Sequence, residues 1–203
     1  TGIITTTDGQ ILTYGNYASS IDLNADGTNE LTTKGSYDNM IIKYTIDGEY
    51  LSHLAYGGAQ DDGITQVVET EDGGLLIGGY TYSTAIDING DGTNDLAGAG
   101  TSSSSGYVIK LSQDNELQYA DNIKGSSYDQ VATVQETEDG GYIAGGSTSS
   151  TNVTVTGKAG TMASKGCSDG FVIKYNNVVI ASEIPAAQSL TIENFIQEFK
   201  ITT

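Results

Sequence analysis

The sequence predicts an all-β protein built from three similar units, and three observations support this prediction. Glycine is abundant, with 27 residues against a single proline, and Thr, Ser, Tyr, Ile and Val make up much of the remainder. This composition favours strands and turns. A pattern of the type Thr-Glu-Asp-Gly-Gly recurs along the chain. Helical periodicity of the apolar residues is nearly absent.

The recurring pattern divides the chain into units. It occurs at Thr70–Gly79 and Thr137–Gly146 and, in a weaker form, at Thr6–Gly15, so that successive copies are 64 and 67 residues apart. A second pattern containing Ile-Lys follows each copy, at Asn39–Tyr44, Gly106–Leu111 and Gly170–Tyr175. We therefore divide residues 1–184 into units 1–63, 64–129 and 130–184, followed by a C-terminal segment, 185–203.

Each unit is predicted to contain four short strands. In the second unit they are Ile64–Glu69, Gly74–Tyr82, the Val-Ile-Lys segment and Glu116–Asp121. Asp-Gly and Asp-Asn pairs separate the strands and are strong hairpin signals. Only Ile192–Phe199 is ambiguous between helix and strand, and its β-branched flanks favour a strand.

The units resemble the propeller-type repeats of bacterial secreted and cell-surface proteins over about residues 1–184. The resemblance implies four-stranded blades in an open or partial β-propeller. Three blades do not close a ring, since propellers typically have about four or more. A fragment, chains that complete one another and an open array remain alternatives. The segment from Ile184 to Thr203 resembles the junction that Gram-positive surface proteins place before a following domain.

Two insertions between the second and third strands carry oxygen-bearing side chains at alternate positions. They are Asp22–Leu31 and Asp87–Leu96, which begin 65 residues apart. Calcium takes about six to eight oxygen ligands, and alternate residues of a tight loop point inward. We therefore predict two Ca²⁺ sites. The predicted ligands are Asp22, Asn24, Asp26, Glu30 and the Thr28 carbonyl in the first, and Asp87, Asn89, Asp91, Asp95 and the Thr93 carbonyl in the second.

The spacing of these acids differs from that of an EF-hand, which has a Glu at the twelfth position, where this chain has Thr33 and Gly98. The closing acid at the ninth position resembles the calcium loops of integrin-type FG-GAP propeller repeats. The alternative interpretation is a metal-free Asn/Asp turn. In the third unit the equivalent stretch, Asn152–Lys158, has no acids, and we predict no metal there.

Charge and apolar content exclude several partners. The chain has 26 acidic and 8 basic residues, all lysines, and a net charge of −18. Nucleic acid and anionic membrane surfaces are therefore not expected as partners. No apolar run reaches the roughly 20 residues that a membrane helix needs. The single Cys167 excludes an intrachain disulfide. A first residue of Thr1, without a signal peptide, indicates a processed or excised segment and an exported protein.

No pattern of catalytic residues stands out. The only histidine, His53, lies in a predicted strand without a nucleophile in a recognisable context. We therefore expect a non-enzymatic extracellular or cell-surface structural protein, a stalk, adhesin or filament subunit, stabilised by calcium. Its partner would be a second copy, paired head to tail through an open strand edge and the C-terminal strand 190–201.

The alternative function is a carbohydrate- or protein-binding module that recognises a surface glycan or protein. Tyrosine rings can stack on sugars, and four tyrosines of the predicted second strands are candidates for this role: Tyr14, Tyr17, Tyr80 and Tyr82. A hydrolase is a third alternative, which would require paired carboxylates that the predicted calcium loops do not already use.

Overall fold

The computed structural model describes residues 1–156, 164–165 and 167–176 and the backbone of 200–202. Every regular element in these residues is a β-strand, and the strands form three antiparallel sheets. The all-β prediction is thus confirmed. Within the described part of the chain there is no helix of the length and apolarity needed to cross a bilayer.

The first sheet contains four strands in chain order: β1 (Gly2–Thr5), β2 (Ile11–Tyr17), β3 (Asp38–Tyr44) and β4 (Tyr50–Tyr56). The second sheet repeats this order with β5 (Asp62–Glu69), β6 (Leu75–Thr81), β7 (Ser105–Leu111) and β8 (Leu117–Lys124). A short fifth strand, β11 (Thr154–Val155), pairs with β8 at its edge. In the second unit, the predicted strand bounds agree with these bounds to within three residues. Strand alternation and turn residues therefore located the strands correctly.

The third sheet contains β9 (Asp129–Glu136), β10 (Tyr142–Thr148), β12 (Asp169–Tyr175) and β13 (Lys200–Thr202). Strand β13 pairs with β12 of the same chain, at the place that β4 and β8 hold in the other sheets. This end of the predicted C-terminal strand therefore pairs with the third sheet of its own chain. Residues 185–199, including the ambiguous segment 192–199, lie outside the described residues.

Two apolar clusters join the sheets face to face, with the second sheet between the other two. In the first cluster, side chains such as Leu12 and Ile41 of the first sheet contact residues such as Val67 of the second. In the second cluster, Val108 of the second sheet meets residues such as Val134 of the third. Burial of apolar surface stabilises the fold by roughly 25 cal/mol per Å², so these two interfaces hold the sheets together.

The Asp-Gly-Gly turns hold lysines from the third strand of their own sheet. Lys110 is 2 % exposed, and its Nζ atom lies 2.9 Å from Asp72 and 2.8 Å from the Leu111 carbonyl oxygen. A Cβ atom at Gly74 would lie 2.3 Å from this Nζ atom, so the second glycine of the turn makes room for the lysine. Lys174 forms the equivalent ion pair in the third sheet. The two recurring sequence patterns therefore meet in space.

Candidate metal centre

Two loops project between strands that are equivalent in the first and second sheets. Loop 1 (Asp22–Glu30) lies between β2 and β3, and loop 2 (Asp87–Asp95) lies between β6 and β7. A two-residue bridge closes the base of each loop. It pairs Ile21 with Leu31 and Ile86 with Leu96, with N···O distances of 3.0 to 3.2 Å between the paired residues. Three of these four apolar residues are buried, so they hold each acidic segment on the core.

The two loops share an unusual backbone. Their fourth residues have positive φ, with 59° at Ala25 and 76° at Gly90. Their sixth residues, Gly27 and Gly92, have φ of 91° and 87°. Left-handed residues favour glycine because a Cβ atom is strained there. The glycine predicted at position six therefore has its expected conformation, and Ala25 carries a strain that loop 2 avoids.

Backbone N–H groups orient the carboxylates of loop 1. The N–H of Gly27 donates to Asp22 Oδ2 at 2.9 Å, and that of Thr28 donates to Asp26 Oδ1 at 2.8 Å. The N–H of Leu23 donates to Glu30 Oε2 at 2.5 Å. The bond from Thr28 also lowers the pKa of Asp26, which stays ionised at neutral pH. The loop thus presents three oriented anionic side chains.

Loop 2 repeats these contacts almost atom for atom. Asp87 accepts from the Gly92 N–H at 2.9 Å, and Asp91 accepts from the Thr93 N–H at 2.7 Å. Asp95 accepts from the Ile88 N–H at 2.8 Å. Asn24 and Asn89, the other predicted side-chain ligands, each bond the aspartate two residues later. Equivalent sequences therefore form equivalent turns.

The loops differ in where their carboxylates lie. Carboxylate oxygens of Asp22, Asp26 and Glu30 lie within 4.8 Å of one another. Loop 2, all of whose residues are described, does not gather its three carboxylates in this way. Asp95 is one methylene shorter than Glu30. Loop 1 is therefore the better-formed candidate site.

A second difference concerns the first aspartate of each loop. The Oδ1 atom of Asp22 is buried and has no hydrogen-bond partner. The Oδ1 atom of Asp87 accepts an additional bond from the Gly90 N–H at 2.7 Å. A buried carboxylate oxygen without a donor is costly unless a cation lies beside it. Loop 1 therefore has an unsatisfied oxygen beside two further carboxylates.

This donor set fits a calcium ion. Calcium prefers hard oxygen ligands from carboxylates, amides and carbonyls, and loop 1 supplies three carboxylates. Anionic groups this close repel one another, and a divalent cation would remove the repulsion. Of the five ligands predicted for loop 1, the structure brings together Asp22, Asp26 and Glu30. Asn24 is exposed and bonded to Asp26. The predicted Thr28 ligand is its backbone carbonyl, and the N–H of the same residue donates to Asp26.

Loop 2 also contacts the neighbouring sheet. Asp87 pairs with Gly57, which directly follows β4 of the first sheet. The same connection recurs one unit later, where β11 (Thr154–Val155) pairs with Ile123 and Lys124 at the end of β8. The described part of the third insertion thus forms a strand in place of an acidic turn. This strand was not predicted from the sequence, although Val153 and Val155 alternate with polar residues.

A buried carboxylate positions the chain that leads into loop 2. Asp62 is inaccessible to solvent and accepts hydrogen bonds from the hydroxyls of Thr81 and Ser83 at 2.5 and 2.9 Å. The Gly58 N–H donates to the same carboxylate at 2.7 Å. Burial raises the pKa of Asp62, and these donors partly offset that effect. Asp62 therefore joins the second sheet to the link from β4, close to Gly57.

A cavity of about 340 Å³ lies between the two loops. Its lining includes Glu30 of loop 1, Asp87 and Asn89 of loop 2, His53 of β4 and Tyr17 of β2. The Nδ1 atom of His53 lies 2.7 Å from the hydroxyl of Tyr50. This cavity could not be predicted from the sequence, because it depends on how adjacent sheets pack.

The tyrosines proposed for sugar stacking have different environments. Tyr17 is 5 % exposed, and Tyr14 packs against the first apolar cluster, so these two rings serve packing. Tyr80 and Tyr82 form an edge-on pair with ring centroids 6.1 Å apart. Tyr82 also meets Tyr128, which is 55 % exposed and which sequence analysis did not single out.

No family model matches the chain, and no curated protein matches it.

Proposed function

We propose that this chain is a non-enzymatic structural protein of the extracellular space or cell surface, stabilised by calcium. Its three sheets would serve as four-stranded blades of an open or partial β-propeller. The observation that carries the proposal is the convergence of the Asp22, Asp26 and Glu30 carboxylates beside a buried, unpartnered Asp22 oxygen. The chemistry of these groups suits the binding of a hard divalent cation.

Calcium would stabilise the folded chain by binding an ordered loop. Fixing a long polar loop costs about 1–2 kcal/mol per residue in backbone entropy. A cation that binds only the folded state offsets part of that cost by mass action. Extracellular calcium modules bind at about 10⁻⁴–10⁻³ M, more weakly than cytosolic sensors. An exposed loop with three carboxylates suits this range, which supports the extracellular assignment.

The environments of the reactive side chains support a non-enzymatic role. His53 is bonded to Tyr50 and stacks on its ring. The buried carboxylates of Asp62 and Asp129 each accept two hydroxyl hydrogen bonds from nearby Thr and Ser residues. His53, Asp62 and Asp129 thus have their hydrogen bonds committed to the fold, and none of these three has the arrangement of a nucleophile with an adjacent base.

Calcium titration of the purified chain tests the proposal. We expect calcium to raise the thermal unfolding midpoint, by about 5–10 °C at 100 times Kd. The Asp22→Asn and Asp87→Asn variants separate the two sites in isothermal titration calorimetry. Asp47→Asn, which changes the same charge in an exposed hairpin, is the matched control and should behave as wild type. An unchanged midpoint at ~10 mM calcium would refute the proposal.

A ligand-binding module is the second candidate, and the cavity between the loops favours it. Polar groups from both loops and a tyrosine line a volume of about 340 Å³, the size of a small-molecule site. A glycan array, probed with and without calcium, tests this function. Binding that the His53→Ala variant abolishes would support it, and no binding to any glycan would remove carbohydrate as the ligand.

A further inference from the structure

The first sheet has an exposed apolar face where the other two sheets are covered. Ile3 of β1 is 67 % exposed. Val67 of β5 and Val134 of β9 occupy the same register position in their sheets, and each is 1 % exposed. These valines belong to the clusters that join each sheet to the one before it. We call the face of the first sheet that carries Ile3 the leading face.

Other apolar residues share this difference. Four residues at leading-face positions of the first sheet are only half-buried, whereas their equivalents in the second sheet are fully buried. The four pairs are Ile11 and Leu75, Ile21 and Ile86, Met40 and Tyr107, and Tyr44 and Leu111. Ile42, at the position of Ile109, is an exception, since it is buried with 4 % exposure. Around Ile42 the leading face is apolar in sequence, and among the described residues it lacks the neighbour that covers the same face elsewhere.

The third sheet shows the complementary difference on its outer side. Val172 of β12 is 41 % exposed, whereas the equivalent residues Ile41 and Val108 are 2 % and 0 % exposed. Ile41 and Val108 are covered by the sheet that follows each of them. We call the face of the third sheet that carries Val172 the trailing face.

The trailing face also keeps a space of the kind that the following sheet fills elsewhere. A Cβ atom at Gly78 of the second sheet would lie 2.8 Å from Val131 and 2.9 Å from Val134 of the third, so glycine allows this close approach. Gly145 stands at the same register position in the third sheet. Among the described residues, a Cβ atom there would meet only atoms of its own sheet, at 3.1 Å or more.

We propose that the trailing face of one chain binds the leading face of a second copy of this chain. The occupant is a second copy because the molecule already contains this contact twice. The two faces that no other described part of the chain covers are its two unmatched halves. Such a heterologous contact joins chains end to end. The biological meaning of this contact rests on the proposed structural function. The contact itself requires no calcium.

The contact between chains is weaker than the contacts within one chain, for two reasons. Within the chain, Glu69 accepts the Thr7 N–H at 2.7 Å and Glu136 accepts the Glu71 N–H at 2.6 Å. The equivalent leading-face residue of the first sheet is Thr5, which cannot supply a carboxylate. A net charge of −18 also opposes association, so salt should strengthen it by screening.

Sedimentation velocity over a concentration series at high salt tests the proposal. We expect the mean mass of the wild type to rise above 21.1 kDa with concentration. The Ile3→Asp and Val172→Asp variants should each remain at the monomer mass. Ile46→Asp is the matched control, since Ile46 is 66 % exposed in the β3–β4 hairpin and lies on neither face, and it should associate as wild type. Circular dichroism checks that each variant folds.

Mixing distinguishes the end-to-end contact from any symmetric one. Ile3→Asp keeps its trailing face and Val172→Asp keeps its leading face, so their mixture should form dimers and nothing larger. Thr5→Glu should strengthen wild-type association, because it restores the missing carboxylate. A wild type that stays monomeric, a mixture without dimers, or an Ile46→Asp control that dissociates would each overturn the proposal.

The two proposals fail separately. The chain could associate in EDTA while its thermal unfolding midpoint does not change with calcium. That result would support the contact between chains and refute the calcium function. A calcium-dependent midpoint in a chain that stays monomeric would overturn the contact alone.

Discussion

Loop 1 and loop 2 share their turns and their backbone hydrogen bonds but differ in how their carboxylates are placed. Three carboxylates of loop 1 lie within 4.8 Å of one another, and Asp22 keeps a buried oxygen without a partner. In loop 2, the Gly90 N–H occupies the equivalent oxygen of Asp87. The same types of ligand in the sequence therefore do not ensure the same site. The shorter side chain of Asp95 and the Gly90 N–H change how the carboxylates of loop 2 are placed.

The loops also differ in what they touch. Asp87 of loop 2 pairs with Gly57 beyond β4, so loop 2 contacts the first sheet directly. Loop 1 has no bridge of this kind among the described residues, since its only bridge joins Ile21 to Leu31 at its own base. Loop 1 is thus better formed for a cation, whereas loop 2 is better placed to transmit cation binding to the packing of two sheets.

Exchanging the closing acids tests the first difference and carries the largest expected effect. Asp95→Glu lengthens the third carboxylate of loop 2, so we expect its calcium affinity to rise by about tenfold, or ~1.4 kcal/mol. Glu30→Asp should weaken loop 1 by a similar factor. Isothermal titration calorimetry measures both. Glu49→Asp, an exposed acid outside the loops, is the control, and affinities that do not move with the exchange would show that acid length is irrelevant.

Hydrogen exchange tests the second difference. Binding stabilises the folded loop by RT ln(1 + [L]/Kd). Calcium at about four times Kd should therefore slow hydrogen exchange of the backbone N–H groups around the Asp87–Gly57 bridge about fivefold. The peptide to follow by mass spectrometry spans residues 54–60 and contains Gly57. Slowing should disappear in Asp87→Asn and persist in Asp22→Asn. Equal slowing in both variants would contradict the special role of loop 2.

The sequence predicted the strands and turns well because these depend on local patterns. Alternating apolar residues and Asp-Gly turns located β5 to β8 to within three residues. The second recurring pattern was visible in the sequence, but the role of its lysine was not. Lys110 pairs with Asp72, and these residues are 38 positions apart in the chain. The turns of loop 1 and loop 2 were likewise predictable, because their glycine and Asn/Asp positions are local.

The remaining features depend on contacts between sheets. The cavity lined by His53 and Asp87 exists only because two adjacent sheets bring β4 and loop 2 together. The bridge from Asp87 to Gly57 and the pairing of β11 with β8 have the same origin. For the third insertion, the lack of acids predicted the absence of a metal site but no structure. The alternation at Val153 and Val155 was nevertheless a signal for a strand.

The backbone conformation of the fourth residue of each loop gives the smallest expected difference between loop 1 and loop 2. Ala25 and Gly90 both have positive φ, of 59° and 76°, which strains alanine by roughly 1 kcal/mol or more. A Cβ atom at Gly90 would meet no atom within 4 Å, so Gly90→Ala adds only backbone strain. We therefore expect Gly90→Ala to lower the free energy of unfolding by about 1 kcal/mol and Ala25→Gly to raise it by about 0.5–1 kcal/mol.

Urea denaturation in EDTA measures these changes without a contribution from bound metal. Ala97→Gly is the control for Ala25→Gly, because Ala97 is exposed and has negative φ, and its replacement should destabilise slightly through unfolded-state entropy. If Ala25→Gly destabilised as Ala97→Gly does, the left-handed conformation would carry no strain. The difference between the loops would then lie in their carboxylates alone, since their backbones would be energetically equivalent.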